Sequence, residues 1–533
     1  MAGNGGAEAA DLVITGARIY TLDARRPTAS ALAAKGGRIV YVGDDAGAPS
    51  GAGTRHIDAR GATIVPGFID SHVHMQSLGD ELETFDLRSV RSVAEVAVVV
   101  RNEAARRKPG EWIRGRGWDQ TNWGGRFPSA DDLTAAAPAN PVFLSRVDGH
   151  AAWLNRQALA LAGITAQTPD PPGGRIVRTA AGEPTGVLID RAMELVGARI
   201  PPPSPAEIRR RIARAAGACI SVGLTTVHDA GITTQELDAY RDLLAHGELP
   251  VRVYAMIGGA GDLWRRYLQR GPEIGDRLTV RAIKLIADGA LGSRGAALLE
   301  PYSDDPGNTG LMMLTRDQIE RVAREAKARG FQVATHAIGD RANRTVLEAY
   351  GAALGGANDL RFRIEHAQVV APPDFELFRK FSIIASVQST HATSDMRWAE
   401  ARLGPERVKG AYAWRRFVDL GVPVANGSDF PVESHDPLFG FYAAITRQDR
   451  NGEPSAGWFP NQRMTREEAL RSWMLGGAYA AFEEDRKGSL AVGKLADFVM
   501  LSADIMTVPP REILNTHVTM TVVGGEVVYS EAR

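Results

Sequence analysis

Between residues 63 and 432 the chain alternates short, almost unbroken apolar runs with stretches of helical periodicity. The runs are ATIVPGFIDSHVH, GLTTVHDAG, VRVYAMIGG, TVRAIKLIADG, QVATHAIGD, RFRIEHAQVV, SIIASVQST and VPVANGSDFPV. Continuous Val, Ile and Ala with no polar alternation is what parallel strands buried on both faces require. About eight strand–helix repeats predict an α/β fold, a closed (β/α)₈ TIM barrel. An open doubly wound sheet is the alternative for the same pattern.

The two ends of the chain read differently. DLVITGARIYTLD, GGRIVYVGDD and TRHIDARGATIVPG at one end, and KLADFVMLSAD, HVTMTVVGG and EVVYS at the other, are short strands punctuated by Gly and Asp. Neither set is long enough to close a core alone. The pattern therefore predicts one composite β-sandwich from residues 1–62 and 485–533, with the barrel spanning 63–79 and 201–484. The gap between the first and second barrel strands is too long for one crossover helix. Residues 80–200, with GRGWDQTNWGG, RVDGHAAWLN and the Pro-rich TPDPPGG, are read as an insertion. Because it follows the carboxyl end of a strand, it is expected to cap the barrel mouth, where active sites sit.

Composition narrows the classes. Lys and Arg number 62 against 63 Asp and Glu, a formal net charge of -1. That leaves no electrostatic footprint for nucleic acid or an anionic membrane. The basic run Arg209, Arg210, Arg211 reads as a solvated helix face. The one cysteine, Cys219, lies between Ala218 and Ile220 and is expected to be a buried thiol, with no disulfide to form. No stretch approaches the roughly 20 apolar residues of a membrane span, and MAGNGGAEAADLVI lacks the build of a signal peptide. A cytoplasmic protein is the expectation.

His72 and His74 in IDSHVH stand at a predicted strand end, where i, i+2 spacing points both imidazoles to one face. Alone, such a pair is a weak signal. His336 in ATHAIGD, His366 in RIEHAQ and Asp429 in NGSDFP each lie at the carboxyl end of another predicted strand, and in a closed barrel these ends converge. Nitrogen and oxygen donors of this kind suit Zn²⁺, one or two ions, with Mn²⁺, Fe²⁺ or Co²⁺ able to occupy the same set. Lys284, in VRAIKLIADG, places an amine inside the predicted barrel. Either it pairs with Asp288 on the same face, or it is deprotonated by desolvation and carboxylated by carbon dioxide to a metal-bridging carbamate.

Together FIDSHVH, IKLIADGALGSR, THAIGDRAN, RIEHAQ and GSDFPV resemble the metal-dependent amidohydrolase superfamily. WDQTNW, RVDGHAAWLN, EPYSDDPGNTG and QSTHATSD extend the likeness, over nearly the whole length, to the amidohydrolase family 3 subgroup that contains N-substituted formamide deformylases. The resemblance implies metal binding by His72, His74, Lys284 as a carbamate, His336 and His366, with Asp429 as ligand and proton acceptor. It also implies a composite sandwich and a homo-oligomer, commonly a dimer. Hydrolysis of an amide-like C–N bond in a small molecule is the expected chemistry, such as an N-substituted formamide or N-acyl amine, with Asp429 passing the proton of the attacking water to the leaving nitrogen. A carbamate, cyclic amide or ester is the alternative substrate, and a metal-free interaction protein the alternative class.

Around the pocket the expected substrate contacts are Trp118, Trp123, His150, Tyr302 and His391, since aromatic side chains with one polar tip suit a small apolar amide. His391 is a second candidate for catalysis, through stabilising the oxyanion. The two tryptophans read equally well as insertion core, and His150 as a brace for the loop containing Asp148. His228 in TTVHDAG is read as structural. The glycine-rich GGAGDLW and GALGSRG lack the lysine and hydroxyl of a phosphate-binding loop.

Overall fold

A computed structural model of the chain describes residues 9–146, 151–171, 174–259, 261–292 and 294–531. They fall into two compact units, one from the described residues of 1–78 and 208–533, the other from those of 79–207.

The first unit contains an eight-stranded all-parallel sheet. Its strands are β1 (Phe68–Val73), β2 (Leu224–Ile232), β3 (Arg252–Gly258), β4 (Leu278–Ile286), β5 (Gln332–Ala337), β6 (Arg363–His366), β7 (Ile384–Gln388) and β8 (Val424–Gly427). Each coincides with one of the apolar runs. The sheet closes beyond the ends of β1 and β8, where the Asp429 amide donates to the His72 carbonyl (2.8 Å) and the His74 amide to Phe430 (3.0 Å). Asp70 clamps the same seam, accepting from the amides of Ser428 (2.9 Å) and His72 (3.2 Å). Gly427 is required there, because a Cβ would lie 2.6 Å from the His72 nitrogen. An open sheet is thereby excluded.

Helices between the strands follow from apolar periodicity and capping. Arg316–Ala328 buries Ile319, Val322, Ala323 and Ala326 at i, i+3, i+4, i+7, and Thr315 and Gln318 form a capping box at its start. Two further sheets are built from the ends of the chain. One is four-stranded, ordered Arg38–Gly43, Ala31–Lys35, Leu12–Thr15, Arg55–Asp58; the other is six-stranded. In the six-stranded sheet Thr63–Pro66 pairs antiparallel with Phe498–Leu501, so the two ends of the chain share one ladder. Their common core contains Leu12, Ile14, Ile64, Leu490, Phe498 and Val522. The fold is thus a TIM barrel with a composite β-sandwich and an insertion after the first barrel strand.

The second unit, the insertion, has its own six-stranded mixed sheet ordered Gly174–Arg178, Pro184–Asp190, Ala151–Leu154, Val142–Arg146, Ile113–Trp118, Phe85–Asp86. Val96, Val100, Ile113, Trp118, Leu133 and Trp153 form its principal core. No helix among the described residues is long and apolar enough to cross a membrane.

Candidate metal centre

The carboxyl ends of β1, β4, β5, β6 and β8 bring His72, His74, Lys284, His336, His366 and Asp429 to the wall of one cavity of about 410 Å³. Two groups within it have donor atoms close enough to share an ion: His72, His74 and Asp429, and His366, His391 and Asp429, each with its atoms within 4.8 Å of one another. Asp429 belongs to both. Its Oδ1 lies 3.2 Å from His74 Nε2 and 3.7 Å from His72 Nε2, and its Oδ2 lies 3.7 Å from His391 Nε2.

Partners behind the imidazoles decide which nitrogens face the cavity. Nδ1 of His72 hydrogen-bonds the buried carboxylate of Glu365, which can only accept, so Nδ1 carries the proton and Nε2 keeps its lone pair. Nδ1 of His366 does the same with Gln388 Oε1 at 2.8 Å. His336 turns Nε2 toward Asp288 Oδ1 (3.4 Å) and the Gly289 carbonyl (3.5 Å), leaving Nδ1 as its lone-pair nitrogen. Its ring centroid lies 4.6 Å from that of His366. His366 and Asp429 hold φ of 73° and 60°. Side chains other than glycine's adopt that left-handed region at a cost, and it recurs where the surroundings impose a functional geometry.

Burial lowers the pKa of His72 to about 4, with the Lys284 charge adding to it against the pull of Glu365. His366 is likewise held well below the ordinary imidazole range by burial and then by His336. Both are neutral at pH 7, the form that ligates. Asp429 feels burial pushing its pKa up, but the hydrogen bond from His74 and the charges of His72, His366 and His391 overcome it and hold the carboxyl well below its usual range. Burial brings Lys284 down to about 8, partly offset by Glu365 and Asp429.

Lys284 does not pair with Asp288, which corrects that alternative. Its Nζ lies 3.1 Å from His72 Nε2. Asp288 is instead consumed by backbone amides, accepting from Ile338 (3.0 Å), Gly339 (2.8 Å) and Ala297 (2.9 Å), and so ties the loop after β4 to the loop after β5.

The expected substrate contacts divide. His391 lies in the cavity wall with Nε2 lacking a hydrogen-bond partner. Tyr302 is corrected: it is buried, donates to the Ala296 carbonyl (2.8 Å) and holds its own loop, outside the cavity wall. Trp118 is corrected as well. With no exposed surface and its indole donating to the Leu144 carbonyl (2.7 Å), it is core of the insertion and has no face left for a substrate. Trp123 stacks on it at 6.5 Å, half-buried. His150 lies outside the described residues.

Glu365, Arg363 and three wall residues were not anticipated. Arg363 and Glu365, two apart on β6, form a fully buried pair, and Glu365 hydrogen-bonds the candidate ligand His72. Glu365 also accepts from Ser386 (2.7 Å), and the Arg363 guanidinium reaches His228 Nδ1 (3.0 Å), which gives His228 a structural place. The signal was an Arg and a Glu at period two on a short buried strand, Arg363–His366. Trp398, Asp395 and Glu433 complete the cavity wall. Burial raises the Asp395 carboxyl, His391 and the Tyr412 hydrogen bond oppose it, and Glu433 adds to the rise.

The chain is similar to known proteins over nearly its whole length. The sequence profile of the amidohydrolase family matches residues 55–529. The chain is 38% identical to Protein LONG AFTER FAR-RED 3 of Arabidopsis thaliana, over 98% of this chain and 92% of that one. It is 29% identical to the N-substituted formamide deformylase of Arthrobacter pascens, over 97% and 98%. A solved structure, an uncharacterized metal-dependent hydrolase from Pyrococcus furiosus, superposes with a TM-score of 0.77 at 29% identity, covering 93% of this chain and all of that one.

Proposed function

The chain belongs to the amidohydrolase family, and on that premise we propose that it hydrolyses a non-peptide C–N bond of amide type, such as an N-substituted formamide or N-acyl amine. The observation that carries this reading is the sharing of Asp429 between two histidine groups at one cavity. The donor set fits a divalent ion, and nitrogen with a single carboxylate favours zinc. His72, His74, His336, His366 and Asp429 would hold it. Lys284 as a carbamate would add two oxygens, a modification supported by a buried amine with no carboxylate within bonding distance among the described residues and a lowered pKa.

A bound divalent ion supplies Lewis acidity and lowers the pKa of water toward neutrality. The rest falls to the side chains. Asp429, held against burial well below the usual carboxylate range with the hydrogen bond from His74 the largest cause of the lowering, accepts the proton of the attacking water and delivers it to the departing nitrogen. His391 donates through Nε2 to the carbonyl oxygen as charge develops there. Glu365 and Gln388 keep the imidazoles of His72 and His366 from rotating away.

Amine release from an N-substituted formamide or N-acyl amine should vanish on chelation and return with added Zn²⁺. Hydrolysis that survives complete removal of metal refutes the reading.

A further inference from the structure

The metal set and His391 leave part of the cavity wall unused, and that part has a chemistry of its own. Asp395 and Glu433 stand there, and Lys284 is the only Lys or Arg among the described wall residues. Both carboxylates are held in place. The Tyr412 hydroxyl donates to Asp395 Oδ2 (2.7 Å) and is itself braced by Gln368 Nε2 (2.8 Å), while Ser394 Oγ donates to Glu433 Oε1 (2.5 Å). Tyr412 and Gln368 are both buried, so Asp395 cannot swing out to solvent without breaking a buried network. Arg397, the nearest guanidinium in sequence, is exposed and donates to the Ser394 carbonyl (3.0 Å).

A second observation places a ligand here. His391, only 8% exposed, lines the same cavity, and its Nε2, 3.7 Å from Asp429 Oδ2, has no hydrogen-bond partner among the described residues. A buried donor left unpaired in a cavity wall is costly unless a bound molecule accepts from it. Ile286, Leu291, Ile338 and Val432 supply apolar wall. The cavity therefore offers a carbonyl position beside His391 and Asp429, apolar surface, and a pair of fixed carboxylates with no salt bridge to a cationic side chain of the described wall, although His391 and the exposed Arg397 act on Asp395 through their charge.

We propose that Asp395 and Glu433 are specificity residues that select substrates whose amine portion carries a second, protonated nitrogen, and that they reject substrates ending in a carboxylate. The proposal rests on the amide-hydrolase reading above and names its substrate class. Charge complementarity in a partly dry cavity attracts a cation, and like charge facing like charge repels strongly enough to exclude the acid.

The test compares N-butylformamide with its ω-ammonium and ω-carboxylate analogues on the zinc-loaded enzyme. The expected order of kcat/KM is ammonium, neutral, carboxylate, with about tenfold or more between first and last. Asp395→Asn and Glu433→Gln should each move the ammonium-to-neutral ratio toward one. Calorimetric binding of the two charged probes to Asp429→Asn, whose turnover is slowed about 10²–10⁴-fold, should show the same preference for ammonium, so the result does not depend on whether the wall variants fold. A flat or reversed order in turnover, with the neutral formamide still hydrolysed, overturns the specificity proposal and leaves the hydrolase reading standing. Failure to hydrolyse any of the three, with the ammonium probe still bound more tightly, sinks the formamide reading alone. Equal binding of both charged probes overturns the specificity proposal.

Discussion

The barrel mouth and the sandwich made from the two ends of the chain are built on opposite principles. The sandwich is built on an apolar cluster, from Leu12 and Ile14 through Ile64 to Phe498 and Val522, and its strands pair across the N- and C-terminal segments. The mouth buries His72, Lys284, His366, His391 and Asp429 together and holds two of them at positive φ. Each such backbone costs on the order of 1–3 kcal/mol, and each unpaired buried donor adds about as much. A region that stores strain and unpaired groups needs stability from elsewhere and a ligand to complete it. The terminal segments supply the first: Asp497 binds Arg252 of β3, with Nε at 2.7 Å, and Thr521 donates to the Ile220 carbonyl at 2.7 Å.

Substitutions in the two regions should therefore separate catalysis from folding. Asp429→Asn keeps shape and removes the proton acceptor, so kcat should fall by about 10²–10⁴ while metal stays bound. Full activity in that variant would remove Asp429 from the mechanism. Phe498→Ala should cost about 3–5 kcal/mol of folding stability by denaturant titration, with kcat per folded molecule unchanged. A loss of kcat there would mean the two regions are not separable.

Acidification should produce the smallest and most gradual effect. His72 titrates at about 4 in the fold against an ordinary 6.5, so the unfolded chain binds the proton first as the pH drops. The His72 contribution to the stability of metal-stripped protein should accordingly be full above about pH 6.5 and decline toward pH 4, while Asp70 and Asp229, raised by burial to about 7 and about 6, contribute in the opposite direction. His366 and His228, both held neutral by burial, act in the same direction as His72. An NMR titration of metal-stripped protein in which the His72 ring protonates at its ordinary 6.5 would contradict the buried, neutral placement of these rings.

The contrast also explains what the sequence made legible. All eight barrel strands could be located, because burial on both faces forces continuous apolar runs, and the candidate ligands were visible because each sits where such a run stops. Glu365 was hidden by its neighbour: it adjoins His366 and reads as an ordinary strand-end charge until Arg363 and Ser386 are seen to satisfy it. Trp118 and Tyr302 misled for a related reason. An aromatic with a polar tip serves equally well as pocket wall or as buried hydrogen-bonded core, and only burial separates the two. Asp395 and Glu433 reach the cavity from segments far apart in the chain, and no local pattern marks such a meeting.

An anomalous-difference map recorded on crystals of zinc-loaded protein tests the central claim most directly. The account predicts a peak within coordination distance of His72, His74 and Asp429, with Lys284 beside it. A protein that takes up zinc stoichiometrically yet shows its peak away from these side chains would contradict it.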